Sequence, residues 1–170
     1  MRIFGLAGWS GSGKTTLMTA LIAEFISRGI AVSTIKHAHH SFDIDQPGKD
    51  SWRHRQAGAR EVMVASGHRW ALMHELRGAA EASLDELLER MTPVDLVLVE
   101  GFKHHDHPKI EVYRRALGKP LLHPDDPFVV AIASDQRLAE FSRPWLPLSD
   151  ASAVAGFILA HETGRVRWRS

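Results

Sequence analysis

Gly8-Trp9-Ser10-Gly11-Ser12-Gly13-Lys14-Thr15 constrains this 170-residue chain more than any other stretch. It fits G-x-x-x-x-G-K-[ST], the loop whose backbone N–H groups wrap a polyphosphate. Its glycines let those groups point inward with no Cβ in the way. Gly8, Ser10, Gly11, Ser12, Gly13, Lys14, Thr15 and Thr16 are the expected phosphate-binding set. Lys14 is placed to bridge the β- and γ-phosphates, and the Thr15 hydroxyl to sit on Mg²⁺. The flanks suit the motif. Ile3-Phe4-Gly5-Leu6-Ala7 reads as a buried strand. Leu17, Met18, Leu21, Ile22, Phe25 and Ile26 recur at helical spacing, and Gly29 follows Arg28 as a stop. The helix N-terminus adds its own preference for anions.

The remaining pattern alternates strands with helices. Strands are expected at 30–35, 61–65, 69–73, 95–99, 110–113 and 128–133. Ser66-Gly67-His68 turns between the 61–65 and 69–73 strands. A helix is expected at 51–57, capped by Asp50. Ser83-Leu84-Asp85-Glu86 is a capping box opening a helix that buries Leu84, Leu87, Leu88 and Met91. Ser149 or Asp150 caps a last helix through His161. This order predicts an α/β fold, a phosphate-loop three-layer sandwich with a mostly parallel sheet and helices on both faces. One nucleotide-binding domain, 1–170, is expected.

Composition narrows the function classes. The net charge of +1 gives no electrostatic case for nucleic acid. No apolar run approaches the roughly 18 residues of a membrane helix. The first strand begins at once, so no signal peptide is expected. There is no cysteine, which removes disulfide and thiolate chemistry and suits a reducing compartment. The expected location is cytoplasmic.

Three further stretches carry candidate chemistry. Asp95-Leu96-Val97-Leu98-Val99-Glu100-Gly101 is an apolar strand ending in an acid, as the second Walker motif requires, so Glu100 is expected near Mg²⁺ and its water. Gly101 would let the chain turn close to the γ-phosphate. Residues 36–50 hold three His, three Asp and two Lys. They emerge at the same sheet edge as the phosphate loop. His37, His39, His40, Asp43, Asp45, Lys49 and Asp50 are candidates for contact with phosphate, a cofactor or a partner. A transition-metal site on the three His and a plain polar loop stay open. The stretch 102–109, with His104, His105 and His107, is either a second ligand contact or a solvated turn. Finally, Val129-Val130-Ala131-Ile132-Ala133-Ser134-Asp135 ends in an acid where many GTP-binding proteins have Asn-Lys-x-Asp. The Asn-Lys pair is missing, so Asp135 either reads guanine or caps a helix.

Taken together, Gly8 to Thr16, Lys36 to His40, Asp43 to Ser51, Arg55-Gln56-Ala57-Gly58-Ala59, Leu98 to Lys103 and Ala131 to Asp135 resemble the MobB family, the molybdopterin-guanine dinucleotide biosynthesis adaptors. The resemblance runs in order through nearly the whole chain. It is weak at 76–81 and from Gly164. It implies GTP binding with slow hydrolysis, Mg²⁺ as cofactor, and homodimers. It also implies assistance to a MobA-type guanylyltransferase that joins GMP to molybdopterin. Lys14 and Glu100 inherit the catalytic positions, and no catalytic base carries over. Where the related partitioning ATPases bring a second lysine in trans, this chain has Trp9 or Ser10. The rival readings are a small-molecule kinase, with Trp52-Arg53-His54-Arg55 as a lid, a His-based metal-delivery GTPase, and a nucleotide-gated module without turnover.

Overall fold

The computed structural model describes residues 1–38, 42–103 and 105–161. The chain divides into two compact units. One joins Met1–His37 to the chain from Glu89 onward; the other is Ala38–Leu88.

In the first unit the phosphate loop connects strand β1 (Arg2–Ala7) to helix α1 (Lys14–Ser27). Next come β2 (Val32–Lys36), and, after the second unit, β5 (Leu96–Glu100), β6 (Lys109–Tyr113), β7 (Val129–Ser134), β8 (Trp145–Pro147) and α4 (Ala151–Ala160). The strands form one six-stranded sheet in the order β2-β5-β1-β6-β7-β8. Every neighbouring pair is parallel. This is the mostly parallel α/β sheet that the alternating pattern predicted. β1 and β5, nearly continuous in apolar residues, are interior strands and buried on both faces.

Phe4 and Leu6 of β1, Leu96 and Leu98 of β5, and Ile110 and Val112 of β6 share one core with Leu17, Leu21 and Phe25 of α1 and Val154 and Ile158 of α4. The period-2 and period-3.6 patterns therefore meet on one face of the sheet. Asp150 caps α4, its carboxylate accepting from Ala153 N–H at 2.9 Å. At the other end of α4, Arg2 donates to the carbonyls of Ile158 (2.9 Å) and His161 (2.6 Å). A cation there also suits the helix dipole.

The second unit holds α2 (Asp50–Gln56), an antiparallel hairpin of β3 (Glu61–Ala65) and β4 (Trp70–His74), and α3 (Leu84–Leu88). Its hairpin is a separate two-stranded sheet. The capping box forms as expected: Ser83 N–H reaches the Glu86 carboxylate at 2.7 Å, and Glu86 N–H reaches Ser83 Oγ at 3.2 Å. The helix it opens is only five residues long, so Leu84 and Leu88 are buried while Leu87 and Met91 are half-exposed. Asp50 does not cap α2. It is the first helical residue, Lys49 takes the cap position, and no side chain caps the end. Among the described residues, no helix is long and apolar enough to cross a membrane.

Candidate functional site

β1 is buried almost throughout and delivers the chain to the phosphate loop at the carboxyl edge of the sheet. Gly8 has φ +144°, and a Cβ there would lie 2.5 Å from the Val112 carbonyl oxygen and 2.8 Å from Ser12 Oγ. Only glycine fits. Gly13, left-handed, sits at the cap position of α1, where no side chain caps and no acid stands in the first turn. The helix start is therefore open to an anion. Ser12 is 1% exposed, and its Oγ has no hydrogen-bond partner among the described residues. A buried hydroxyl left unpaired is costly, so this atom is poised for a ligand oxygen.

Lys14 Nζ donates to the Trp9 carbonyl at 2.9 Å, folded back across the loop. Burial pushes its pKa down. Glu100 opposes that, and Lys103 and Lys36 add to it. The Thr15 hydroxyl donates to Glu100 Oε1 at 3.4 Å. Strand register explains the meeting: Glu100 stands opposite Leu6 on β1 and opposite Lys36 on β2. Hydroxyl and carboxylate thus meet at the sheet edge, and the Lys14 ammonium lies near enough to feel the Glu100 charge. Hard oxygen donors of this kind suit Mg²⁺.

The turn after Glu100 is tight. Gly101 has φ +99°, and a Cβ there would fall 2.6 Å from His37 Cβ. Phe102 follows at φ +48°, a conformation costing a non-glycine residue on the order of 1–3 kcal/mol. Its ring packs on the His37 imidazole at 4.8 Å, and His37 N–H donates to the Glu100 carbonyl at 2.8 Å. His37 therefore lies beside the acid, on the edge where its loop was expected.

On the α1 side of the loop is a cleft of about 340 Å³, bounded by Gly13, Thr16, Leu17, Arg114, Asp135 and Leu148. No helix follows Asp135, which overturns the capping alternative. Arg114 instead bridges the loop and the acid, donating to the Ser12 carbonyl at 3.1 Å and to Asp135 Oδ2 at 3.4 Å. Sequence reasoning missed Arg114. Its position just beyond the carboxyl end of a parallel strand was the available signal.

The other candidates separate. Ser10 is exposed. Asp43 and Asp45 are engaged by Arg55, at 2.7 and 3.1 Å, and Glu75 completes the cluster at 2.9 Å. The bond from Arg55 holds the Asp43 carboxyl below its usual range and raises the guanidinium's own pKa. Ser51 Oγ also donates to Asp45 at 2.7 Å. These carboxylates hold the second unit together. Lys49 and Asp50 are exposed at the start of α2. His39, His40, His104 and the basic tail from Arg165 lie outside the described residues. The stretch 105–109 is no solvated turn, since His107 and Lys109 are buried.

Comparison with known proteins matches this arrangement to one family. The family model described as Molybdopterin guanine dinucleotide synthesis protein B matches residues 3–135. The chain belongs to the MobB family. It is 45% identical over 158 residues to a Haemophilus influenzae protein named molybdopterin-guanine dinucleotide biosynthesis adapter protein, covering 92% of this chain and 86% of that one. An Escherichia coli protein of the same name is 43% identical over 160 residues, covering 92% and 91%. Among solved structures, a molybdopterin-guanine biosynthesis protein B aligns with TM-score 0.74 and 28% identity, over 93% of this chain and 98% of the other. MobB from Bacillus subtilis aligns at TM-score 0.72 and 23% identity, over 94% and 97%, a likeness of fold.

Proposed function

We propose that this MobB-family chain is a GTP-binding adapter in the attachment of the guanine nucleotide to molybdopterin, with slow GTP hydrolysis. The observation that carries the reading is the meeting of Thr15 and Glu100, with Lys14 in the same loop, beside a cleft that ends at Asp135. Triphosphate oxygens take the helix start, Ser12 Oγ and Lys14, which leaves Trp9 to reach them. Thr15 and Glu100 are the residues that would hold Mg²⁺, which when bound neutralises charge on the β- and γ-phosphates. The base enters the cleft, and Asp135 accepts from its ring N–H and amino group. Hydrolysis rests on positioning and on charge stabilisation by Lys14.

The adapter role draws on the names of the H. influenzae and E. coli relatives. Its partner would be a MobA-type guanylyltransferase in the cytoplasm, its second ligand a molybdopterin-type cofactor. A homodimer is supported by the hairpin β3–β4, which leaves Met63, Val64, Trp70 and Leu72 exposed, Trp70 at 65%. The kinase alternative loses one of its two lid arginines, because Arg55 is committed to three carboxylates, which leaves Arg53 as the exposed arginine in that stretch. Titration with GTP and ATP in the presence of Mg²⁺, followed by single-turnover hydrolysis, tests the proposal. Tight ATP binding with no preference for GTP would reject the guanine assignment.

A further inference from the structure

The strand residues that alternate with the α1 core face the other side of the sheet. There Lys109 is 1% exposed. Its ammonium donates to Asp126 Oδ2 at 2.7 Å and to the Lys103 carbonyl at 2.8 Å, and sits 5.5 Å from the centre of the Phe128 ring. A buried ammonium needs such partners. β1 makes room by carrying Gly5, where a Cβ would strike His107 Nε2 and come within 2.9 Å of Lys109 Cγ.

Above this floor lies a cavity of about 310 Å³, walled by Ala7, Lys103, Asp106, Lys109, Asp125 and Phe128 among others. Ala7 immediately precedes Gly8, so this cavity and the Asp135 cleft flank the phosphate loop on opposite sides. Lys103 reaches from the cavity to the loop. It lines the cavity, its ammonium stands 5.1 Å from the centre of the Trp9 ring, and its charge is felt at Lys14. Asp106 and Asp125 are exposed at the rim. Pockets for small ligands begin at about this volume and combine an apolar wall with a few fixed polar groups.

We infer that this cavity is a second ligand site and takes a phosphate-bearing pterin. The inference rests on the molybdopterin reading above. Asp106 or Asp125 accepts from the ring N–H and exocyclic amino group of the 2-amino-4-oxopyrimidine edge, the donor pair a carboxylate matches. The bicyclic ring lies against Phe128. The phosphate points to Lys103, and so toward the nucleotide phosphates.

Fluorescence titration of the full chain with 6-hydroxymethylpterin phosphate, 6-hydroxymethylpterin and inorganic phosphate tests this. The parent should bind the phosphate ester more tightly than the free pterin, and inorganic phosphate weakest. The exposed positions tolerate Asp106→Asn with Asp125→Asn. This double variant should lose about tenfold or more for both pterins, as expected when a charged hydrogen-bond partner is removed. Lys103→Ala should lose about tenfold for the ester and little for the free pterin. Failure of the parent to bind, unchanged pterin affinity in the double variant, or unchanged ester affinity in Lys103→Ala would each overturn the proposal. A GTP titration of the parent runs alongside. Pterin binding without a preference for GTP fails the nucleotide reading only, and a preference for GTP without pterin binding fails this one only.

Discussion

Acid should destabilise this protein through His107. The imidazole is 3% exposed, and its Nε2 has no partner among the described residues. Burial, first, and then Lys109 and His105 depress its pKa from 6.5 to about 4, against a smaller pull from Asp126. Protonation would place a second cation beside the buried Lys109 ammonium. Because the folded pKa lies below the unfolded one, the unfolded chain takes up the proton first. His107's contribution to stability is present above pH 6.5 and is lost as pH falls toward 4. At 1.36 kcal/mol per unit, the full loss is about 3 kcal/mol, of which about 2 kcal/mol falls between pH 7 and 5.

Glu111 works in the opposite sense. Burial raises its pKa although it accepts from Leu122 N–H at 2.7 Å and His123 N–H at 3.0 Å. Its contribution is fullest below the unfolded value of 4.5 and declines as pH rises through the folded one, so acidification relieves it. The difference between parent and His107→Gln removes this background. Urea unfolding of both at pH 7 and pH 5 should show the parent losing about 2 kcal/mol more than the variant. Equal losses would refute the assignment.

Further outcomes follow from the same geometry. Lys14→Ala should remove most triphosphate affinity without shifting the thermal midpoint, since among the described residues the amine bonds within the loop, to the Trp9 carbonyl; nucleotide titration with a melting scan checks both. Gly8→Ala should abolish nucleotide binding and lower the melting midpoint, because the added Cβ meets the Val112 carbonyl at 2.5 Å and an unfavourable φ. Asp135→Ala should cost GTP about 2 kcal/mol, roughly thirtyfold, and leave ATP nearly unchanged, read by parallel titrations. Changing His37, His39 and His40 together to Ala should spare nucleotide binding and weaken capture of the guanylyltransferase. Equilibrium dialysis would instead find stoichiometric Zn²⁺ or Ni²⁺, lost in the variant, if the loop holds metal.

The parts legible in the sequence were those written in local pattern. Strand, glycine loop and helix at 3–26 needed only neighbours to be recognised, and Glu100 was marked by the apolar strand that it ends. Asp150 and the Ser83–Glu86 box follow from local hydrogen bonding, which sequence spacing encodes. Contacts between distant residues were not legible. Arg55 gathers Asp43, Asp45 and Glu75 from positions with no common spacing. Arg114 meets Ser12 across 102 positions. Lys109 falls in the polar stretch 102–109 ahead of the strand expected at 110–113, and only the fold shows it buried over Gly5. The strand Trp145–Pro147 is three residues at the sheet edge, too short for an alternating pattern and tolerant of Pro there. The hairpin's strands were visible, but nothing local said that they would form a sheet of their own.

The central claim is that the phosphate loop and the Asp135 cleft together form a guanine nucleotide site. Its most direct measurement is competitive titration of the parent chain with GTP and ATP in Mg²⁺, repeated on Asp135→Ala. The account predicts that GTP binds more tightly and that the variant loses this preference. Equal affinities in the parent, or a preference that survives in Asp135→Ala, would contradict it.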